Sequence, residues 1–316
     1  MSKVDSSVGF DCRQAFADEL EKMAREDSRI VAVCNDSVGS SNLGAFKKAF
    51  PNRLVNVGIA EQNMVGVAAG LANAGMRPFV CAASPFLTGR ALEQIKADVV
   101  YSNFPVVLCG MSPGMAYAEL GPTHHSIEDL AWTRAIGDLT VAVPADPDET
   151  RATMRWALKS GRPCFMRIGR TKVPAVSREG VSFEPGKFVT LREGKDVTII
   201  AAGTMVARAL DAASFLSEGG IEARVINAAS IKPVDVQTVV AAAKETKGIV
   251  TVEEAIVYGG LGSAISEVVV QTHPTRMRIL GVTGLAPTGS TNFLFEYFGL
   301  TGPGIAKAAL ELIENA

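Results

Sequence analysis

Short apolar runs that do not alternate with polar residues recur along this chain of 316 residues, and helical patterns separate them. In the first half they lie at 30–34, 54–57, 79–83, 106–109, 141–143 and 164–168. A strand that is apolar on both faces has no side for water. It therefore predicts a parallel sheet covered by helices on both faces. Helices are predicted at 13–25, 62–73, 89–100, 127–135 and 147–158. The first is amphipathic, with Phe16, Leu20, Met23 and Ala24 on one face. Over 172–196 the pattern breaks down among Pro174, Gly180, Pro185, Gly186 and Gly194. A second unit follows, with strands at 197–201, 222–227, 248–252 and 277–282 and helices at 205–217, 234–244, 260–271 and 304–313. The expectation is an α/β fold of two three-layer α/β/α domains with mostly parallel sheets. Their predicted bounds are 1–175 and 196–316, with a linker at 176–195. Ligands of such sheets bind outside the carboxyl ends of the strands, so the loops there should carry the function.

Composition narrows the class. Hydrophobic residues are 47% and charged residues 20%, enough apolar material for two cores. The net charge of −2 leaves no electrostatic footprint for nucleic acid or an anionic membrane. The five cysteines are far apart and odd in number, and Cys34, Cys81 and Cys109 lie in apolar runs. They read as reduced core thiols, with no metal-ligand spacing. The start of the chain lacks a basic and then apolar signal pattern, and no apolar run reaches about twenty residues. The expectation is a soluble, cytoplasmic protein.

Two segments carry chemistry. In Val57-Gly58-Ile59-Ala60-Glu61-Gln62-Asn63, one acidic residue leads a helix of small and apolar residues with no charge until Arg77. A carboxylate there needs a partner, or desolvation raises its pKa. Stabilisation by the helix dipole is the simpler alternative. The second segment is Gly121-Pro122-Thr123-His124-His125-Ser126, about sixty residues on. In this order the two resemble the pyrimidine-binding domain of the transketolase family, whose cofactor is thiamine diphosphate. The resemblance covers essentially the whole chain, and Thr251-Val252-Glu253-Glu254-Ala255 fits the family's C-terminal domain. Glu253 and Glu254 themselves are expected at a solvated strand end.

The resemblance implies roles. Glu61 would bind the ring nitrogen of the cofactor's aminopyrimidine and favour the tautomer that takes the thiazolium proton. A Gln could hold the ring but could not exchange that proton. His124 would be the active-site histidine. Phe86, in Ser84-Pro85-Phe86-Leu87, would stack on the aminopyrimidine, although an ordinary core Phe fits the pattern too. Asp36 would lie near the cofactor. Arg13, Ser41 and Arg170 match a substrate phosphate site, with Ser40 as an alternative to Ser41; each arginine alone would read as a solvated surface residue. Two positions depart from the family pattern. A phosphate-contacting His falls on Ser112, and an Asp that reads a sugar hydroxyl falls on Leu120. Leu cannot accept a hydrogen bond, so a specialised sugar, branched or carrying another anionic group, becomes compatible.

The family's metal motif, Gly-Asp-Gly followed by Asn, is absent. Mg²⁺ needs carboxylate and carbonyl ligands beside phosphate oxygens. The resemblance thus implies one half of a split transketolase that transfers a two-carbon ketol unit between phosphorylated sugars. An amino-terminal transketolase subunit would hold Mg²⁺ and the diphosphate, in an α₂β₂ assembly with cofactor sites between chains. The β subunit of a 2-oxo-acid dehydrogenase is the nearest alternative, and Gly121-Pro122-Thr123-His124 speaks against it. Deoxyxylulose-phosphate synthase has a similar His segment but carries its metal domain in the same chain. A non-catalytic stabilising or regulatory subunit is a third reading, disfavoured by Glu61 and His124.

Overall fold

The apolar runs of the first half become β1 (Ile30–Cys34), β2 (Leu54–Asn56), β3 (Arg77–Ala83), β4 (Val107–Met111), β5 (Thr140–Ala142) and β6 (Cys164–Ile168). The computed structural model describes residues 9–177 and 180–314. Between these strands run α1 (Cys12–Glu26), α2 (Gly44–Ala49), α3 (Glu61–Asn73), α4 (Leu92–Gln94), α5 (Asp129–Ala135) and α6 (Pro147–Ser160). The second half contains β7 (Val189–Arg192), β8 (Val197–Ala201), α7 (Met205–Glu218), β9 (Ala223–Asn227) and β10 (Ser230–Lys232). It continues with α8 (Val236–Glu245), β11 (Ile249–Ile256), α9 (Leu261–Thr272), β12 (Met277–Val282), α10 (Thr291–Tyr297) and α11 (Gly302–Glu314).

Among the described residues, the strands form a sheet of order β10-β5-β6-β4-β3-β1-β2 and a second of order β12-β11-β8-β9-β7. Pairing is parallel except for β10 on β5 and β7 on β9. Neither antiparallel edge strand stands out as an apolar run. β7 lies in the stretch expected to be a connection, and β10 comes from the second half of the chain to close the first sheet.

Local signals set the helix ends. Asp11 caps α1 by accepting the Arg13 N–H at 2.9 Å. Asp146 caps α6 by accepting from Glu149 N–H at 2.9 Å, Pro147 opens that helix, and Gly161 ends it in a left-handed conformation. The core is continuous from α3, through Met64, Val65 and Ala68, to Val80, Leu108 and Phe165. All five cysteines are free and buried. Cys34, Cys81 and Cys109 sit opposite one another across β1, β3 and β4. No helix among the described residues is long and apolar enough to cross a membrane.

Two expectations fail. The helix expected at 89–100 starts at Phe86 and consists of π-helical turns at Phe86–Arg90 and Ile95–Val100 around the short α4. Gly89 faces Trp132 there: a Cβ on it would lie 3.2 Å from the indole. The wider turn thus settles against a large side chain from a distant element. The second concerns the strand expected to end at 252. It runs on to Ile256, so Glu253 and Glu254 are buried, at 0% and 4% exposure, not solvated. Glu253 accepts the N–H groups of Leu261 and Gly262 at 2.7 and 2.8 Å, which would otherwise be orphaned at the start of α9. Burial pushes its carboxyl up to about 7.

Candidate active site

The order of the first sheet makes β1 a switch point. From β1 the chain goes to β2 on one side and then crosses to β3 on the other. Loops that leave a sheet in opposite directions open a crevice at the carboxyl ends of the strands. Asn35 follows β1, Glu61 opens α3 after β2, and Ser84–Arg90 follows β3. The loop with His124 follows β4, and Arg170 follows β6.

Glu61 is 4% exposed at a helix start that has no side-chain cap. Its Oε1 accepts from Asn35 Nδ2 at 2.7 Å and from Arg90 Nη1 at 2.9 Å. The helix dipole is therefore not its only support; two side chains are dedicated to it. Both donors use the same oxygen, and among the described residues Oε2 receives no hydrogen bond. Asn35 Oδ1 is likewise buried and without a partner. Asn35 Oδ1 thus stands open next to a carboxylate with one oxygen unused, although buried polar atoms are normally satisfied.

Phe86 is half-buried beside them, with the Arg90 guanidinium 4.0 Å from its ring centre. His124 meets Phe86 edge-on at 5.3 Å between ring centres, and Tyr117 at 5.8 Å on another side. The Arg170 guanidinium lies 5.5 Å from the Tyr117 ring. One line of contacts thus joins Glu61, Arg90, Phe86, His124, Tyr117 and Arg170. His124 is half-buried, and its Nδ1 is 2.9 Å from the Thr123 hydroxyl. His125, the neighbouring candidate, is 3% exposed, with Nε2 3.0 Å from the Ala118 carbonyl. Burial lowers its pKa. It holds the loop together, while His124 faces the crevice walls.

The remaining predicted residues fall in different settings. Arg13 is anchored to Asp11 at 2.7 Å and donates to the Ser40 carbonyl at 3.3 Å. Ser41 is fully buried, bonded to the Ser37 hydroxyl at 3.3 Å, whereas Ser40 is exposed. Asp36 is exposed, adopts φ 68° and accepts from Asn56 at 3.0 Å. Leu120 is 55% exposed on a turn between Tyr117 and Gly121. Ser112 is fully buried at φ 54°, donates its N–H to the Ile168 carbonyl at 3.0 Å, and has no partner for its hydroxyl. It lies under the loop rather than on its surface.

Asn35, Arg90, Tyr117 and a buried hub are not marked in the sequence. The hub is Asp129, which takes the Ser84 hydroxyl at 2.6 Å and pairs with the Arg167 guanidinium. It ties the Phe86 segment to the His124 loop, and no local pattern distinguishes it. Among the described residues, no cluster of His, Cys, Asp or Glu is arranged to hold a metal ion.

Comparison with known proteins gives the setting. Residues 9–176 match the family model described as transketolase, pyrimidine binding domain, and residues 186–305 match transketolase, C-terminal domain. The chain is 42% identical over 306 residues to one of the subunits of the apulose-4-phosphate transketolase of Phocaeicola vulgatus, covering 96% of this chain and 98% of that protein. It is 39% identical over 304 residues to a 6-deoxy-6-sulfo-D-fructose transketolase subunit of a Clostridium species, covering 96% of this chain and 94% of that one. A solved structure described as a split gene transketolase, inactive beta4 tetramer, superposes with a TM-score of 0.89 at 39% identity, covering 97% and 99% of the two chains.

Proposed function

This chain belongs to the transketolase family, and we propose that it is the carboxy-terminal subunit of a split transketolase acting on a specialised, anionic sugar. The family implies thiamine diphosphate. When bound, that cofactor supplies the carbon nucleophile that carries a two-carbon ketol unit. The single observation that carries the reading is Asn35 Oδ1, buried without a partner next to Glu61, whose other partner Arg90 stacks on the ring of Phe86. An aminopyrimidine would offer its amino hydrogens to an open acceptor, a ring nitrogen to share a proton with a carboxyl, and a flat face to such a ring, so the residues present fit it.

Each residue then has a task. Glu61 holds a proton at Oε2 and exchanges it with a ring nitrogen, while Asn35 and Arg90 fix Oε1. The Thr123 hydroxyl lies 3.4 Å from the Leu120 carbonyl and 2.9 Å from Nδ1 of His124; when it turns its hydrogen to Nδ1, the ring proton sits on Nε2, where it can be given to a sugar oxygen. Arg170 and Arg13, with Ser41 or Ser40 nearby, orient the anionic end of the sugar. Leu120 forms an apolar rim where the family pattern has an acceptor, which excludes a hydrogen bond to a sugar hydroxyl there. Relatives named for apulose 4-phosphate and for a sulfo-sugar support a substrate outside the ordinary pentose phosphates.

An amino-terminal partner subunit would hold Mg²⁺ and the diphosphate, and two copies of each chain would close the assembly. Support comes from the apulose-4-phosphate relative, itself named as a subunit, which this chain matches over 98% of its length. The test is to assay ketol transfer for the chain alone and with its partner, using branched, sulfonated and ordinary sugar phosphates. Transfer should need both chains and favour a specialised sugar. Full activity of the single chain would sink the split-enzyme reading.

A further inference from the structure

The loop from 112 to 126 that carries His124 is closed at its neck by Gly114 and Ser126, which exchange backbone bonds at 2.9 and 2.8 Å. Beyond the neck, the loop is also held by the other sheet. Met115 N–H donates to Oε1 of Glu254 at 2.8 Å, across 139 residues of sequence. The second oxygen, Oε2, takes the Thr204 hydroxyl at 2.5 Å, just before α7. The carboxylate is thus divided between the loop and the second domain, and it is 4% exposed.

The close approach depends on a missing side chain. Gly114 sits at φ +66°, and a Cβ on it would lie 2.5 Å from the Glu254 carboxyl. Neighbouring contacts tie the neck to both sheets, through Arg167 of β6 and the end of β11. Arg167 Nη2 donates to the Ser126 carbonyl and Nη1 to the Glu254 carbonyl, both at 3.1 Å. Ile256 N–H donates to the Ile127 carbonyl at 2.9 Å. At the far end of the loop, a Cβ on Gly121 would lie 2.7 Å from Thr288 Oγ1. A buried carboxylate is expensive to desolvate, and core packing alone would be met more cheaply by an apolar side chain of the same volume.

We propose that Glu254 is a positioning residue: through Met115 it sets the place of the His124 loop relative to Glu61 and Phe86. The second domain thereby takes part in a reaction it does not touch. The proposal rests on the reading of His124 as an active-site residue.

Amide hydrogen exchange of the full chain tests it without substrate or partner. Glu254→Ala should speed exchange in 112–121 about 10- to 100-fold, the usual weight of a bond to a charged acceptor. Exchange in 30–34 and 147–160 should stay within about twofold of the unmodified chain. Glu254→Gln keeps a carbonyl oxygen for Met115, and Thr204 can turn its hydroxyl to accept, so exchange should return to within about twofold. Gly114→Ala pushes the loop off an intact carboxylate and should reproduce the loss if Glu254→Ala fails to fold. Unchanged exchange in 112–121, or an equal rise along the whole chain, overturns the proposal. In the assembled enzyme Glu254→Ala should lower kcat about tenfold or more with little change in acceptor KM, and Glu254→Gln should restore it. A freed loop with unchanged kcat also overturns it. An assembly that transfers no ketol unit at all, with the exchange result as expected, overturns the functional reading instead.

Discussion

Glu61 has one oxygen held by two donors and one left open, so its two roles can be separated by substitution. Glu61→Gln keeps an acceptor for Asn35 and Arg90 and should leave folding and assembly intact. It removes the exchangeable proton, and hydrogen–deuterium exchange at the thiazolium carbon of the assembled enzyme should slow by about 10²–10⁴-fold, the usual weight of acid–base catalysis. Unchanged exchange would leave Glu61 as a helix-end residue only. Leu120 permits a gain-of-bond test, because its exposed turn can accept a carboxylate without burial. Leu120→Asp should raise kcat/KM for ribose 5-phosphate, relative to an acceptor lacking the hydroxyl beside the aldehyde, by about 10- to 100-fold. A ratio that does not move removes position 120 from substrate recognition. A third carboxyl, Glu149, predicts how stability responds to pH. It is buried, bonded to Ala145 N–H at 2.7 Å and to Asn227 Nδ2 at 2.9 Å, and burial pushes its pKa up to about 7 from 4.5. The folded chain then holds this proton, and that of Glu253, after the unfolded chain has released them. Their stabilising contribution is complete below pH about 4.5 and is lost as pH rises through about 7. Tm should fall between pH 4.5 and about 7 on the order of what one or two such carboxyls supply, and Glu149→Gln should flatten the fall. Its amide can donate to Asn227 Oδ1, which is buried without a partner. A profile as steep in Glu149→Gln as in the parent chain would reject the assignment.

At the scale of elements, the segment after β3 shows where a periodicity misleads. Its apolar residues predict a regular helix, yet two π-helical turns replace most of it. An extra residue in a turn changes which side chains share a face farther along, while Phe86 and Arg90, four apart, still stack at 4.0 Å. Gly89 makes room for Trp132 in this arrangement. Gly89→Ala should therefore cost about 1–2 kcal/mol by overpacking, or a few degrees in Tm, and shift Trp132 fluorescence. A stable variant with unchanged emission would show that the indole does not hold the turn. The carboxyl-end loops, by contrast, follow from the strands alone, because strands buried on both faces leave only their ends for chemistry.

For the whole molecule, the exposed side of α3 bears on assembly. Gly70 lies on it, and a Cβ there would meet nothing within 4 Å among the described residues. Glycine in a helix costs about 1 kcal/mol against alanine, so its presence there is not explained by this chain's own packing. Ile59, just before the helix, adds an apolar side chain that is 79% exposed. An approaching copy of the same chain would explain both. Gly70→Leu should leave the fold of the single chain intact or raise its Tm, yet reduce the assembled mass seen by light scattering. Unaltered assembly would place the interface elsewhere.

Periodicity sufficed to derive the α/β class, and the resemblance carried by two short motifs named Glu61 and His124, the residues proposed for the centre of the site. Those signals are local: burial on both faces, helix caps and each motif are written within a few residues. Asn35, Arg90 and Tyr117 carry no such mark, because each acquires its partner only when loops from separate strands converge. The same holds for Glu253 and Glu254, which look like a solvated strand end. Only the tertiary structure turns one toward the start of α9 and the other toward Met115, 139 residues away. A side chain's burial and bonding are properties of what packs against it, and that is decided by the whole chain at once.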